Sequence, residues 1–213
     1  MISIVTDVKN TEGAPRRRGR PPAFERNAVL EMAADTFWRL GYEGASITDL
    51  TTAMGITPQS LYAAFTSKAD LYREALAWYR AHIGASTARA LEEENVMTAL
   101  ARVLRDSAHE FTRPGRPHGC MVSTAVLACA VEHETVARHV AGMRNETLDA
   151  IRSRIERGIA EGQLQEATDA PALARFVGAI IQGMSVQARD GASRPELSAM
   201  ADLAVGEIER HRA

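Results

Sequence analysis

The chain has 213 residues, with 25 Lys and Arg against 27 Asp and Glu and a net charge of −2. That balance excludes a protein coated in nucleic-acid-binding residues, so any polyanion site has to be a local basic footprint. No apolar run approaches the roughly 18 residues that span a membrane, and MISIVTDVKN has no basic start before a long apolar core, so a cytoplasmic protein with no membrane partner is expected.

In chain order, residues 1 to 22 read as a flexible basic arm. Arg16, Arg17, Arg18 and Arg20 surround Gly19 and run into Pro21 and Pro22; four arginines followed by two prolines cannot hold a helix and stay extended until a polyanion orders them. An extended Arg-Gly-Arg-Pro segment is slim enough for a narrow A·T-rich minor groove, where the negative potential is enhanced.

Residues 23 to 67 read as three short helices. Leu30, Ala33, Phe37 and Leu40 form an apolar stripe at helical spacing, and Gly41 stops it. Ser46 with Asp49 caps the next helix, on which Ile47, Leu50 and Met54 share one face. Gly55 supplies the positive φ that ends it, and Thr57 with Pro58 opens the third as N-cap and first-turn proline. A turn of about three residues between two such helices is a helix-turn-helix. Ser67 and Asp70 repeat the capping pattern before a longer helix carrying Leu71, Leu76 and Trp78.

The segment from Ser46 to Tyr72 resembles the N-terminal domain of TetR-type bacterial transcriptional regulators, and the resemblance rests on Gly41, Tyr42, Thr48, Leu50, Gly55, Ile56, Leu61, Tyr62, Phe65, Lys68 and Leu71. It implies that residues 58 to 64 are a recognition helix in the major groove of double-stranded DNA. Thr57, Gln59 and Ser60 are then the candidates for base-edge or nearby phosphate contact; the Gln59 amide both donates and accepts, matching the N6 and N7 edge of adenine. Thr48, Tyr62 and Lys68 match positions that touch phosphate, which set register rather than sequence preference. Ala63 and Ala64 depart from the family, which often has a histidine or aromatic there, and Thr51 stands where alanine is usual. The basic arm resembles an AT-hook core and the arm common in this family.

Residues 68 to 213 read as an all-α bundle, as five per cent aromatics and no alternating β pattern also suggest. Helices are predicted near 68 to 90, 96 to 112, 119 to 131, 134 to 162, 169 to 189 and 194 to 211, broken at Pro114 and Pro117, at Gly162 and at Gly191 to Pro195. The resemblance implies that this part is a ligand-binding and dimerisation domain whose last two helices pair two subunits and whose interior holds a small-molecule inducer. Phe176, Ile180, Gly183 and Met184, with Ala199, Leu203 and Ile208, would carry that pairing. The homodimer would act as a repressor on a palindromic operator.

Cys120 and Cys129 are nine apart, on opposite faces of a single helix. Cys120 follows His118 and Gly119 at the expected N-terminus of the 119 to 131 helix, where a dipole and a nearby histidine favour a thiolate; the GCMVSTAVL stretch resembles a subgroup some of whose members sense electrophiles or oxidants, so Cys120 is a candidate redox or electrophile sensor. Trp78, Met97, Phe111, Met121, Met143 and Gln182 are apolar or adaptable residues of the type that line ligand pockets. His109, His118, His133 and His139 match no metal-ligand spacing, so no metal is expected. No phosphate loop or dinucleotide fingerprint appears, so no cofactor and no enzymatic activity is expected. Two other classes compete: an architectural protein that binds DNA largely without sequence preference, and a helical enzyme using Cys120 and His118 as nucleophile and base.

Overall fold

The computed structural model describes residues 23–213. They form α1 (Ala23–Gly44), α2 (Ile47–Met54), α3 (Pro58–Ala64), α4 (Lys68–His82), α5 (Ala85–Leu91), α6 (Val96–Phe111), a single 3-10 turn at Val131–His133, α7 (Glu134–Ala160), α8 (Ala170–Arg189) and α9 (Arg194–Glu209). An isolated antiparallel bridge between Leu164 and Arg212 is the only extended pairing among the described residues.

The head is assembled by local signals. Ser46 Oγ accepts from Asp49 N at 3.0 Å while Asp49 Oδ2 accepts from Ser46 N at 2.9 Å, so α2 starts with two orphan donors satisfied reciprocally. Gly55 closes α2 at φ 64°, in the left-handed region. Leu50 and Leu61 are fully buried and join Phe37, Tyr42 and Tyr72 in one cluster; burying a leucine contributes about 1.5–3 kcal/mol. Thr51 is buried, its Oγ1 donating to Ile47 O at 2.8 Å, so its hydroxyl is bonded within the helix while its methyl packs.

Three expectations need correcting. Leu40 is 49% exposed, because α1 kinks at Gly41 (φ 75°, ψ 170°) and runs on to Gly44, leaving Trp38 and Tyr42 to take the inner face there. The predicted 68 to 90 helix is two, since Ile83 N and Gly84 N both donate to Tyr79 O, at 2.8 and 2.9 Å, which closes the first. The predicted helix over 119 to 131 does not form. Gly119 adopts φ 77° and Val126 φ 45°, the backbone keeps only turn bonds such as Ala125 N to Val122 O at 3.4 Å, and the carbonyls of Val122 and Ala125 accept from the Arg144 guanidinium at 3.2 and 2.9 Å. Cys120 therefore lies at no helix N-terminus and has no helix dipole behind it.

Two cores result. The first joins α1 to α4 with Met121, Val122 and Ala125 of the 119 to 130 loop and Val136, Val140 and Met143 of α7. The second joins α5, α6, the far half of α7, α8 and α9. Cys120 is half-buried and packs against both, so it marks the seam between them.

Candidate nucleic-acid interface

The surface of the head is set by what α3 exposes. Thr57 Oγ1 accepts from Ser60 N at 3.1 Å and shares a hydrogen bond with Ser60 Oγ at 3.0 Å, which caps α3 and holds both hydroxyls at its N-terminal end. Gln59 stands exposed in the same first turn, and Leu61 is buried beneath it. Tyr62 is 52% exposed although a tyrosine ring is largely apolar. Thr48, on α2, is also exposed, and Ala63 and Ala64 leave the far end of α3 without reach. Lys68, the first residue of α4, is half-buried with its ammonium 4.6 Å from the Tyr42 ring centroid; burial pushes its pKa below the ordinary lysine value, against the raising effect of Glu43. Arg16, Arg17, Arg18 and Arg20 lie outside the described residues.

Several side chains tie α1 to the elements packed around it. Arg189, at the end of α8, donates to Trp38 O at 2.9 Å and to Arg39 O at 3.4 Å, meeting carbonyls near the end of α1. His133 Nδ1 lies 2.7 Å from Glu43 Oε1, and its ring packs edge-on against Tyr42 at 5.0 Å. Arg26 forms an ion pair with Glu74 and covers the Phe65 ring at 4.7 Å. The hydrogen bond from His133, first, holds the Glu43 carboxyl below its usual range. A lowered folded-state pKa gives stability that is present above the usual carboxylate value and lost as pH falls through the lowered one. Glu43→Gln should therefore flatten the fall in melting temperature between about pH 6 and pH 3.5, as thermal unfolding followed by circular dichroism would show; an unchanged pH profile would remove Glu43 from that account.

A cavity of about 290 Å³ opens at the seam. Trp38 and Tyr79 face it from the head core, Phe111 and Ile181 from the bundle, and Cys120 and Met143 complete the wall. The Tyr79 hydroxyl donates to Cys120 Sγ at 3.5 Å, and burial first, then Cys120, raises its pKa well above the ordinary tyrosine value. Of the six residues with pocket-like chemistry, Phe111, Met143 and Gln182 line this cavity; Met97 and Met121 are buried in the second and first cores, and Trp78 stacks on His82 at 4.6 Å.

A different surface carries α8 and α9. Phe176, Ile180 and Gly183 are half-buried, and Val186 and Leu203 are 45% and 78% exposed; Met184 and Ile208 are turned into the core instead. A Cβ on Gly183 would meet nothing within 4 Å, so another backbone can approach there.

Comparison with known proteins decides what this architecture is. The family model for bacterial regulatory proteins of the tetR family matches residues 29–75, and that for the tetracyclin repressor-like C-terminal domain matches residues 96–201. The chain belongs to the TetR family. Among relatives, the HTH-type transcriptional repressor ComR of Escherichia coli (strain K12) is 35% identical over 90% of this chain and 92% of its own length. The HTH-type transcriptional repressor BdcR of the same strain is 30% identical over 91% of this chain and 94% of its own. A cysteine mutant of the TetR family transcriptional regulator CifR, solved in complex with 26-bp double-strand operator DNA, superposes with a TM-score of 0.84 at 41% identity, over 88% of this chain and 98% of that one. As a TetR-family regulator the chain is a helix-turn-helix DNA-binding protein of the repressor kind, and α2 and α3 are its helix-turn-helix.

Proposed function

We propose that this TetR-family chain is a cytoplasmic repressor that holds a palindromic operator as a homodimer and is released by a small-molecule inducer bound in the seam cavity. The observation that carries the reading is the capped first turn of α3, exposed at Thr57, Gln59 and Ser60 while Leu61 anchors its underside. Gln59 then reads a base edge, Thr57 and Ser60 touch a base edge or a nearby phosphate, Thr48, Tyr62 and Lys68 set register on phosphates, and Arg16, Arg17, Arg18 and Arg20 of the arm enter the adjacent minor groove. In domain terms, residues 1 to 22 are the arm, 23 to 67 the DNA-binding head and 68 to 213 the ligand-binding and dimerisation part. The operator complex of CifR supports this reading at 41% identity.

The second subunit covers the apolar face of α8 and α9. Leu203 is 78% exposed there and Gly183 leaves room for a backbone, which an isolated subunit gains nothing by presenting to water. Leu203→Glu should convert the dimer to monomer in light scattering and remove operator binding with it, because each head alone reads one half-site. A Leu203→Glu protein that stays dimeric would place the interface elsewhere. In a footprint, the dimer protects two half-sites whose centres are about 34–36 Å apart or a multiple of that; protection without twofold symmetry would contradict the proposal.

Inducer binding shifts the dimer toward a conformation whose heads no longer match the groove spacing. Thiol modification of Cys120 is a second route to the same release, since a group added to this thiol would occupy the cavity proposed for the inducer. Iodoacetamide should label Cys120 in the native protein at neutral pH and lower operator affinity; an inert Cys120 would remove that route.

A further inference from the structure

The wall of the seam cavity carries one side-chain amide, and the protein makes no use of it. Gln182 of α8 lines the cavity together with Gly178 and Ile181, at the i, i+3, i+4 spacing that shares one helix face. A long helical side chain covers the turn before its own Cα; for Gln182 that is the turn of Gly178, itself a wall residue beside Leu148 of α7. The side chain is half-buried and its amide has no hydrogen-bond partner among the described residues, yet it is not sealed in: the polar atoms there that are both buried and unpaired belong to Trp38, Arg154 and Thr168. An amide left open in this way offers an acceptor oxygen and a donor nitrogen side by side.

The other polar groups of the wall are committed or unselective. Ser107 Oγ donates to Val103 O at 2.7 Å and Thr147 Oγ1 to Met143 O at 3.2 Å. Arg80 pairs with Glu146 at 2.6 Å, Glu110 with Arg113 at 3.4 Å, and the Arg144 guanidinium donates to two loop carbonyls, so no spare charge asks for an ionic ligand. The hydroxyls of Ser86, Thr87 and Ser123 rotate to suit a donor or an acceptor and select neither. Gln182 does select, because a ligand that meets only its oxygen or only its nitrogen leaves the other desolvated and unpaired.

We infer that the Gln182 amide chooses the inducer, and that the inducer is an uncharged, otherwise apolar compound with a cis amide, as in a lactam, whose N–H and C=O pair with the Gln182 oxygen and nitrogen. This rests on the proposal that the seam cavity is the inducer site and adds what that site recognises. The same helix carries Arg189, which donates to Trp38 O of α1 at 2.9 Å, and Gly183, on the face given to the second subunit. A ligand held by Gln182 therefore acts on a helix that reaches both the head and the dimer face.

2-Quinolone and coumarin are the probe pair: both are uncharged fused bicycles with a ring carbonyl, and coumarin has an oxygen where 2-quinolone has its N–H. By calorimetry 2-quinolone should bind about tenfold more tightly than coumarin. In Gln182→Met, which keeps the length of the side chain and removes both polar groups, that preference should fall to about one, with the dimer intact in light scattering. In isotope-labelled protein the side-chain amide resonances missing from Gln182→Met identify Gln182, and 2-quinolone should move them. Equal binding of the two compounds by the unaltered protein, or a preference that survives Gln182→Met, would overturn the anchor while leaving the cavity as a ligand site. A Gln182→Met protein that turns monomeric would assign the amide to the subunit interface and overturn the anchor as well. Binding of neither compound would overturn the cavity reading itself and the anchor with it.

Discussion

A dimer carrying Gln59→Ala in both subunits is expected to lose about two orders of magnitude or more in operator affinity. A bidentate amide on an adenine edge discriminates by about 1–3 kcal/mol, and twofold symmetry applies the loss at both half-sites. The change should fall on specificity as well as affinity: binding to the operator drops toward that of unrelated DNA, and the preference at one position of each half-site relaxes. Because Gln59 is exposed in the first turn of α3 and Leu61 carries the packing, the variant should melt with wild type. Titrating operators substituted one base pair at a time checks this. A uniform loss across all sequences would instead assign Gln59 to phosphate.

Gly119→Ala is expected to be the costliest single methyl in the protein. An added Cβ would lie 2.5 Å from the Ser185 carbonyl oxygen and 3.0 Å from Ser185 Oγ and Arg189 Cγ, at φ +77°. The left-handed conformation costs a non-glycine residue about 1–2 kcal/mol, and forcing the loop off α8 adds about 1–3 kcal/mol of overpacking. At about 2–4 °C per kcal/mol for a chain of this size, the melting temperature should fall by on the order of 10 °C. Gly115 is the internal control, since it has φ +80° with nothing within 4 Å of an added Cβ; Gly115→Ala should pay the conformational cost alone. Equal losses in the two variants would show that the contact with α8 contributes nothing. The Gly119 substitution also pushes apart Cys120 N and Ser185 Oγ, which sit 2.7 Å apart, so it should loosen the seam and weaken operator binding beyond what the melting shift explains.

The head was legible because its signals are local. Ser46 with Asp49, Gly55, Thr57 with Pro58 and Ser67 with Asp70 each act over three or four residues, and the backbone does at those positions what the sequence announces. The loop at 119 to 130 was not, because its competitor is remote: Arg144 takes the carbonyls of Val122 and Ala125 from 22 and 19 residues away, and Ser185 takes the amide of Cys120 from 65 away. The cavity was half legible for the same reason. Residue type picked out Phe111, Met143 and Gln182, but Trp38, which lies off the Leu30, Ala33, Phe37 and Leu40 stripe, reaches the cavity through a packing between α1 and α8 that no periodicity records. Thr57 shows the limit at single-residue scale: the sequence marks it as a cap and as a contact, and the structure has its hydroxyl engaged with Ser60 in both atoms.

The central claim is that this TetR-family chain holds one DNA sequence in preference to others. Fluorescence anisotropy of the purified protein against the DNA upstream of its own gene and against a scrambled duplex, both at about 150 mM salt, tests it most directly. Tight binding to the upstream duplex with a gap of at least about a thousandfold over the scrambled one is the predicted result. Equal, weak and steeply salt-dependent binding to both would contradict it and favour a largely non-specific architectural role.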